Sequence, residues 1–262
     1  MKVLAIGASR NIGSATSLNL LRQGHRVAFV LRNPSTFVDN AEIKPFIESG
    51  FVQLIKGDAL DVNSLRAAWI EAGSSGGPVD VAIFSVGGGA GQRPFALKGV
   101  VLDPPNLCTT ALLNTFSSYP HDSSSTSQPR FVIITSNGVT KETHAALPVW
   151  PMYAMLEGPH ADKIDMEKIV HHSAGWTSPW VEDGPKEKIL QAGWESNMPD
   201  RGWLKHVSIV RPAVLTNGKM KGKYRVGEKP CGAFTISRLD VAHFIANDVI
   251  PNWADTTGEP YH

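Results

Sequence analysis

Cysteine is scarce in this chain of 262 residues: Cys108 and Cys231 are the only two, and they form no CxxC motif. Each reads as a buried, reduced thiol. The nine histidines show no metal-ligand spacing, so no metal site is expected. Charge of one sign is also lacking. Lysine and arginine number 25 against 24 acidic residues, a formal net charge of +1. No strong field therefore favours nucleic acid or a membrane surface as a partner. No apolar run reaches the length of a membrane span, and no signal peptide precedes the first strand, so a cytoplasmic location is expected. There is no internal repeat. The 42 % hydrophobic and 19 % charged fractions are those of an ordinary globular chain, long enough for one large α/β domain.

Within residues 1–135, short apolar runs alternate with amphipathic stretches. Strands are expected at Val3–Ile6, Arg26–Leu31, Phe51–Ile55, Val79–Phe84 and Phe131–Thr135. Helices are expected at Ile12–Gln23, more weakly at Asn40–Ser49, at Val62–Ala72 with Asp61 as N-cap, and at Leu107–Phe116. Further on come a helix over Pro159–Ser173, a sixth strand at Val207–Val210, and a helix over Arg238–Ile250 with Leu239, Ala242, Ile245 and Val249 inward. Apolar strands separated by helices imply a parallel sheet with both faces covered. Right-handed crossovers then give the doubly wound arrangement of the Rossmann fold. One NAD(P)-binding domain is expected over 1–262, carrying a Trp-rich insertion at 174–204 before the sixth strand.

The first strand ends in Gly7-Ala8-Ser9-Arg10-Asn11-Ile12-Gly13, which opens the first helix. Free backbone N–H groups and the positive helix end suit an anionic diphosphate there. Gly7 permits the tight turn, and Gly13 lets helix pack close to strand. Strand two ends in Leu31-Arg32-Asn33-Pro34 with no acid to hold a ribose 2′-OH. Arg32 and Arg10 suit a 2′-phosphate instead, which favours NADP(H) over NAD(H) as cofactor.

This turn resembles that of the short-chain dehydrogenase/reductase superfamily, whose common form reads G-A-S-R-G-I-G. Asn11 stands where glycine is usual, and asparagine tolerates positive φ. The resemblance implies that Asp58, followed by Ala59, sits at the adenine amino group. It also implies that small residues at Ser85, Val86 and Gly87 let the backbone approach the cofactor ribose, and that Pro212 and Ala213 line the nicotinamide carboxamide. The glycine run to Gly91 reads equally well as a loose loop.

Typical members pair a proton-donating Tyr with a Lys four residues later. Tyr153 has Glu157 in that place and fails. Lys163 is followed by Glu167 and, after strand six, by Arg211-Pro212, which resembles the K-x-x-x-E and R-P pattern of the atypical, NmrA-like branch. That register makes Lys163 the ribose-binding lysine and puts Pro159 at the tyrosine position, where no proton can be donated. The serine position falls at Ser136 or Asn137. Tyr153 and His160 remain as alternative donors, although Tyr153 reads equally as a packing residue and His160 as an exposed first-turn residue. Three functions follow from this resemblance: a reductase with another donor or a readily reduced substrate, a cofactor-sensing regulator without redox chemistry, or a redox-silent isomerase or cyclase.

The stretch from Ser173 to Lys205 is far longer than the usual connection. It carries Trp176, Trp180 and Trp194, with Trp203 at its exit and Trp150 upstream. Disordered segments are poor in aromatics, so the insertion is expected to order itself over the site. Trp150, Tyr153, Trp176 and Trp180 would then line an apolar pocket for a small, aromatic carbonyl, enone or quinone-like substrate. Alternatively the insertion packs on itself or on another subunit.

Overall fold

The computed structural model describes residues 1–88, 93–96, 99–120, 128–137, 157–177, 189–227 and 234–253. The first strand, β1 (Lys2–Ile6), is buried along its whole length, as a five-residue stretch with four apolar members should be. It is central to a parallel six-stranded sheet. The others are β2 (Arg26–Leu31), β3 (Val52–Lys56), β4 (Val81–Phe84), β7 (Arg130–Ile134) and β8 (Val207–Val210), in the order β3-β2-β1-β4-β7-β8. The order reverses between β1 and β4, and ligands in such sheets bind outside the carboxyl ends at that point. The expected Rossmann fold is therefore present.

Alternate residues of each strand feed two separate cores. Val3, Ala5, Val27 and Phe29 point to one face, where α1 (Asn11–Arg22) packs against the last helix, α7 (Arg238–Phe244). Leu4, Ile6, Ala28 and Val30 point to the other. That face is covered by α4 (Val62–Ser74), α5 (Leu107–Ser118) and α6 (Glu157–Ala174). Asp61 caps α4 by accepting a hydrogen bond from Asn63 N, as expected.

Three local expectations need correction. The weak helix expected at 40–49 is confined to α3 (Lys44–Glu48), and a separate short helix, α2 (Ser35–Val38), precedes it. Asn40 separates them because its Oδ1 accepts from the amides of Glu42 and Ile43, a local competitor to helix continuation. Leu239 is not inward but 44 % exposed. The inward position of that first turn is taken by Asp240, and the buried stripe runs through Val241, Ala242, Ile245 and Val249, the last two in a π-helical turn at Ile245–Val249. Between β4 and α5 the chain forms an unexpected antiparallel hairpin, β5 (Arg93–Ala96) with β6 (Gly99–Val101). A second small sheet pairs β9 (Val214–Thr216) with β10 (Thr235–Ser237), and Ser237 caps α7 by accepting from Asp240 N at 2.9 Å. Among the described residues no helix is long and apolar enough to cross a membrane.

Candidate functional site

The turn after β1 brings α1 into contact with the end of β4. Gly7 has φ +75°, and a Cβ there would lie 2.5 Å from Val86 N. A Cβ on Gly13 would lie 2.1 Å from Ser85 Oγ and 2.8 Å from Ala8 Cα. Asn11 alone among the described non-glycine residues has positive φ, +57°. Arg10 occupies the N-cap of α1 and makes no side-chain cap hydrogen bond. The first-turn amides are thus left for an anion.

These residues border a cleft of about 270 Å³ over the carboxyl ends of β1 to β4. Of the residues singled out in the sequence, Gly7, Ser9, Arg10, Asn11, Arg32, Asp58, Ala59, Ser85, Val86 and Gly87 line it. Ala8, Ile12 and Gly13 are buried beneath it and shape it from behind. Asp58 is held in a turn: its Oδ1 accepts from Leu60 N at 3.0 Å, and its own N donates to Ser64 Oγ at 2.9 Å. Ser85 Oγ donates to Ile6 O at 3.1 Å, tying β4 to β1 at the cleft floor. Pro212 and Ala213 lie elsewhere, in a larger cavity of about 480 Å³ beside β8.

Lys163 lies beside the cleft, behind Val86. Its Nζ donates to Val86 O at 3.1 Å and to Ile134 O at 3.3 Å, carbonyls at the carboxyl ends of β4 and β7. Cys108 Sγ donates to the same Val86 oxygen at 3.3 Å. Burial pushes the Cys108 thiol up to about 12, and the nearby Lys163 charge pulls back only part of that rise. It is an inert packing thiol, as expected; Cys231 lies outside the described residues.

Two carboxylates fix α6 so that Lys163 points there. Buried Asp162 accepts from the amides of Cys108 and Thr109, both at 2.8 Å, and so caps the start of α5. Fully buried Glu167 takes a two-pronged ion pair from Arg211, with Nε at 3.0 Å and Nη2 at 2.6 Å. The K-x-x-x-E and R-P spacing thus has a physical basis: the Glu–Arg pair welds α6 to β8. Sequence alone shows neither contact, although an Asp able to reach a helix start is a recognisable signal.

Asn137, not Ser136, lines the larger cavity, and its amide donates to Pro212 O at 2.8 Å. Ser136 Oγ donates to Asn137 O at 3.0 Å. His160 is buried rather than exposed, because α6 begins at Glu157, earlier than Pro159 would suggest. Tyr153, Trp150 and Trp180 lie outside the described residues.

Trp176 is not at either cavity. Its ring meets His171 edge-on at 5.3 Å, and its amide donates to His171 O at the far end of α6 from Lys163. Trp194 meets His172 at 5.0 Å, and Trp203 packs on Phe116 at 5.4 Å and Tyr119 at 6.0 Å. Residues 189–204 therefore close the amino-terminal edge of the second core, and the expected cap over the site is not formed by them. The reason is chain geometry: α6 runs antiparallel to the strands, so the chain leaving its last turn emerges at the wrong end of the sheet. Sequence reading also missed Leu102, Asp103, Pro104 and Leu107, which line the cleft as well.

A sequence profile for a family described as NAD(P)H-binding matches residues 7–178. The chain belongs to that family. No sequence among the curated proteins matches it. In fold, this member of the NAD(P)H-binding family is similar to a Bacillus halodurans protein described as an NAD-dependent epimerase/dehydratase, with TM-score 0.62 and 17 % identity over 100 % of this chain and 92 % of that one. It is also similar to a metagenomic short-chain oxidoreductase in complex with NADP, with TM-score 0.60 and 16 % identity over 99 % and 95 %. A third likeness is to ChuY, the anaerobillin reductase of Escherichia coli O157:H7, with TM-score 0.56 and 20 % identity over 95 % and 91 %.

The residues present fit a nicotinamide dinucleotide. The uncapped first turn of α1 offers amides to the diphosphate, and a Cβ on Gly87 would meet nothing within 4 Å, leaving room beside β4. Among the described residues no His, Cys, Asp or Glu cluster could hold a metal ion.

Proposed function

We propose that this protein is an NADP(H)-dependent reductase of an apolar carbonyl, enone or quinone-like small molecule. The observation that carries this reading is Lys163, clasped by carbonyls at the ends of β4 and β7, one of them from Val86 on the rim of the cleft. Arg10 and Arg32 line the cleft, and strand β2 ends without an acid. Guanidinium groups there favour a 2′-phosphate over a 2′-hydroxyl.

The bound cofactor supplies a hydride, that is, two electrons and a proton, to an electrophilic carbon; one further proton goes to the substrate oxygen. Lys163 would position the nicotinamide ribose, and Asn137 borders the larger cavity, where the substrate carbonyl would lie. Tyr224 also lines that cavity, but its hydroxyl is committed to Asp248 Oδ2 at 2.9 Å and His243 Nδ1 at 2.8 Å. Burial and the Asp248 contact raise its pKa far above the ordinary value, so it is a poor acid. This supports substrates whose reduced oxyanion is stable enough to take its proton from water, as quinones do.

The regulator reading is supported by one observation: Pro159 occupies the helical turn before Lys163, where a proton donor would be sought. Calorimetry with NADPH and NADH, followed by NADPH oxidation against quinones, enones and aromatic ketones, separates the two. Turnover that is lost in Lys163→Ala supports the reductase. NADPH binding with no turnover on any acceptor favours the regulator. Arg32→Asp should weaken NADPH by about tenfold or more and NADH far less; equal losses would remove the 2′-phosphate role.

A further inference from the structure

The larger cavity has one wall that the reductase reading leaves unused. Residues 218–226 read G-K-M-K-G-K-Y-R-V, and Lys219, Lys221, Lys223 and Arg225 all line the cavity. The lining also holds the apolar side chains of Val210, Pro212, Ile236, Val241 and Phe244. Four cations in seven residues are conspicuous in a chain whose whole net charge is +1.

Asp240 is the one carboxylate among the described lining residues, and it is already engaged. It is 3 % exposed, and its Oδ1 accepts from the amides of Lys221 and Gly222 at 2.8 Å each. Its Oδ2 accepts from Ser237 Oγ at 2.8 Å. Burial alone would push this carboxyl up, but the hydrogen bonds from Gly222, Ser237 and Lys221 outweigh it and hold it below the usual range. Asp240 therefore fastens the backbone of the lysine-bearing segment to α7. No described carboxylate makes an ion pair with Lys219, Lys221 or Lys223. Like charges gathered on one wall repel each other until an anion arrives, and a cleft of one sign focuses its field on an incoming ligand.

We infer that the ligand of this cavity is an apolar-bodied anion. Its hydrocarbon part lies along Val210, Ile236, Val241 and Phe244 beside Pro212 and Ala213, and its carboxylate or phosphate faces Lys219, Lys221 and Lys223. This deepens the reductase reading, on which the word substrate depends, but the binding itself does not require turnover.

The test uses three fluorescent probes of one body: 2-naphthol, 2-naphthoate and 2-naphthyl phosphate, titrated into the whole protein with saturating NADP⁺. Either anion, or both, should bind about tenfold or more tightly than the naphthol, and the stronger of the two names the anionic group. Raising salt from about 50 to about 500 mM should erase most of that preference. The triple substitution of Lys219, Lys221 and Lys223 to Gln should erase it too, with naphthol and NADPH affinities retained. Lys223→Glu alone, a milder change at an exposed position, should reduce it part-way and guards against misfolding of the triple variant. Equal affinity for all three probes, or a preference that survives the triple variant, would overturn the inference. NADPH calorimetry on the same samples reports separately on the cofactor reading. A preserved anion preference without turnover would sink the reductase and leave the anion site standing.

Discussion

Replacing Gly13 by Ala probes the contact that shapes the cofactor cleft. The new methyl would stand 2.1 Å from Ser85 Oγ, 2.8 Å from Ala8 Cα and 2.9 Å from Ala8 Cβ. The serine hydroxyl can rotate, at the loss of its bond to Ile6 O. The Ala8 atoms cannot, so α1 must back away by roughly half an ångström in a close-packed layer. Such overpacking costs about 1–3 kcal/mol, a fall of about 3–10 °C in Tm for a domain of this size. Gly7→Ala should cost more. Its methyl would meet Val86 N at 2.5 Å and Val86 Cα at 2.7 Å, both backbone, and its φ of +75° adds roughly 1–2 kcal/mol of strain. Adding Ser85→Gly should recover part of the Gly13→Ala loss and none of the Gly7→Ala loss. Thermal melts followed by circular dichroism, arranged as double-mutant cycles, read these terms; calorimetry should show NADPH affinity falling alongside. Wild-type stability and affinity in Gly13→Ala, or equal rescue of both variants by Ser85→Gly, would refute the packing argument.

Three further outcomes are expected. Glu167→Gln leaves the Arg211 guanidinium facing a neutral amide in a site where Arg211 is 3 % exposed, and urea unfolding should show a loss of about 3–5 kcal/mol. Burial pulls His171 down to about 4, against the opposing charge of Glu167; the unfolded chain takes that proton near pH 6.5 and the folded one only near 4. This stability is therefore complete above about pH 6.5 and lost as pH falls toward 4, by at most about 3 kcal/mol. His171→Phe should flatten that acid limb in melts across pH. Asp240→Ala removes the acceptor that holds the amides of Lys221 and Gly222, and hydrogen exchange over 219–227 should speed up while that of β1 stays unchanged.

The features legible in the sequence are those written locally. An apolar run ending at Gly7, then Asn11 in a left-handed conformation and an amphipathic helix, are consequences of sterics within a dozen residues. Such local signals suffice for the strands, the fold and the floor of the cleft. Lys163 is legible because its four-residue spacing to Glu167 is local to one helix and the Arg211-Pro212 pair follows strand six whatever the loop between, though neither pattern reveals the ion pair behind it. What failed depended on which end of the sheet a segment reaches. The Trp-rich insertion resembles a lid by composition, yet α6 delivers Trp176 to the edge opposite the cofactor. Leu239 satisfies helical spacing, but the cap at Ser237 and Asp240 claims the inward position of that turn. The lysine-bearing segment carries no local signal of a cavity, which forms only where β9, β10 and α7 meet it.

The packing of α1 on α7 has a mechanical consequence. One helix opens with the loop that would cradle a diphosphate, and the other opens at the carboxylate that tethers the cationic strap. Leu18 and Leu21 share a core with Val241 and Ala242, and Gln23 reaches Asn247 at 3.0 Å. The two loops are arms on one rigid bar. A substitution that loosens the core shared by these two helices therefore reaches both loops at once.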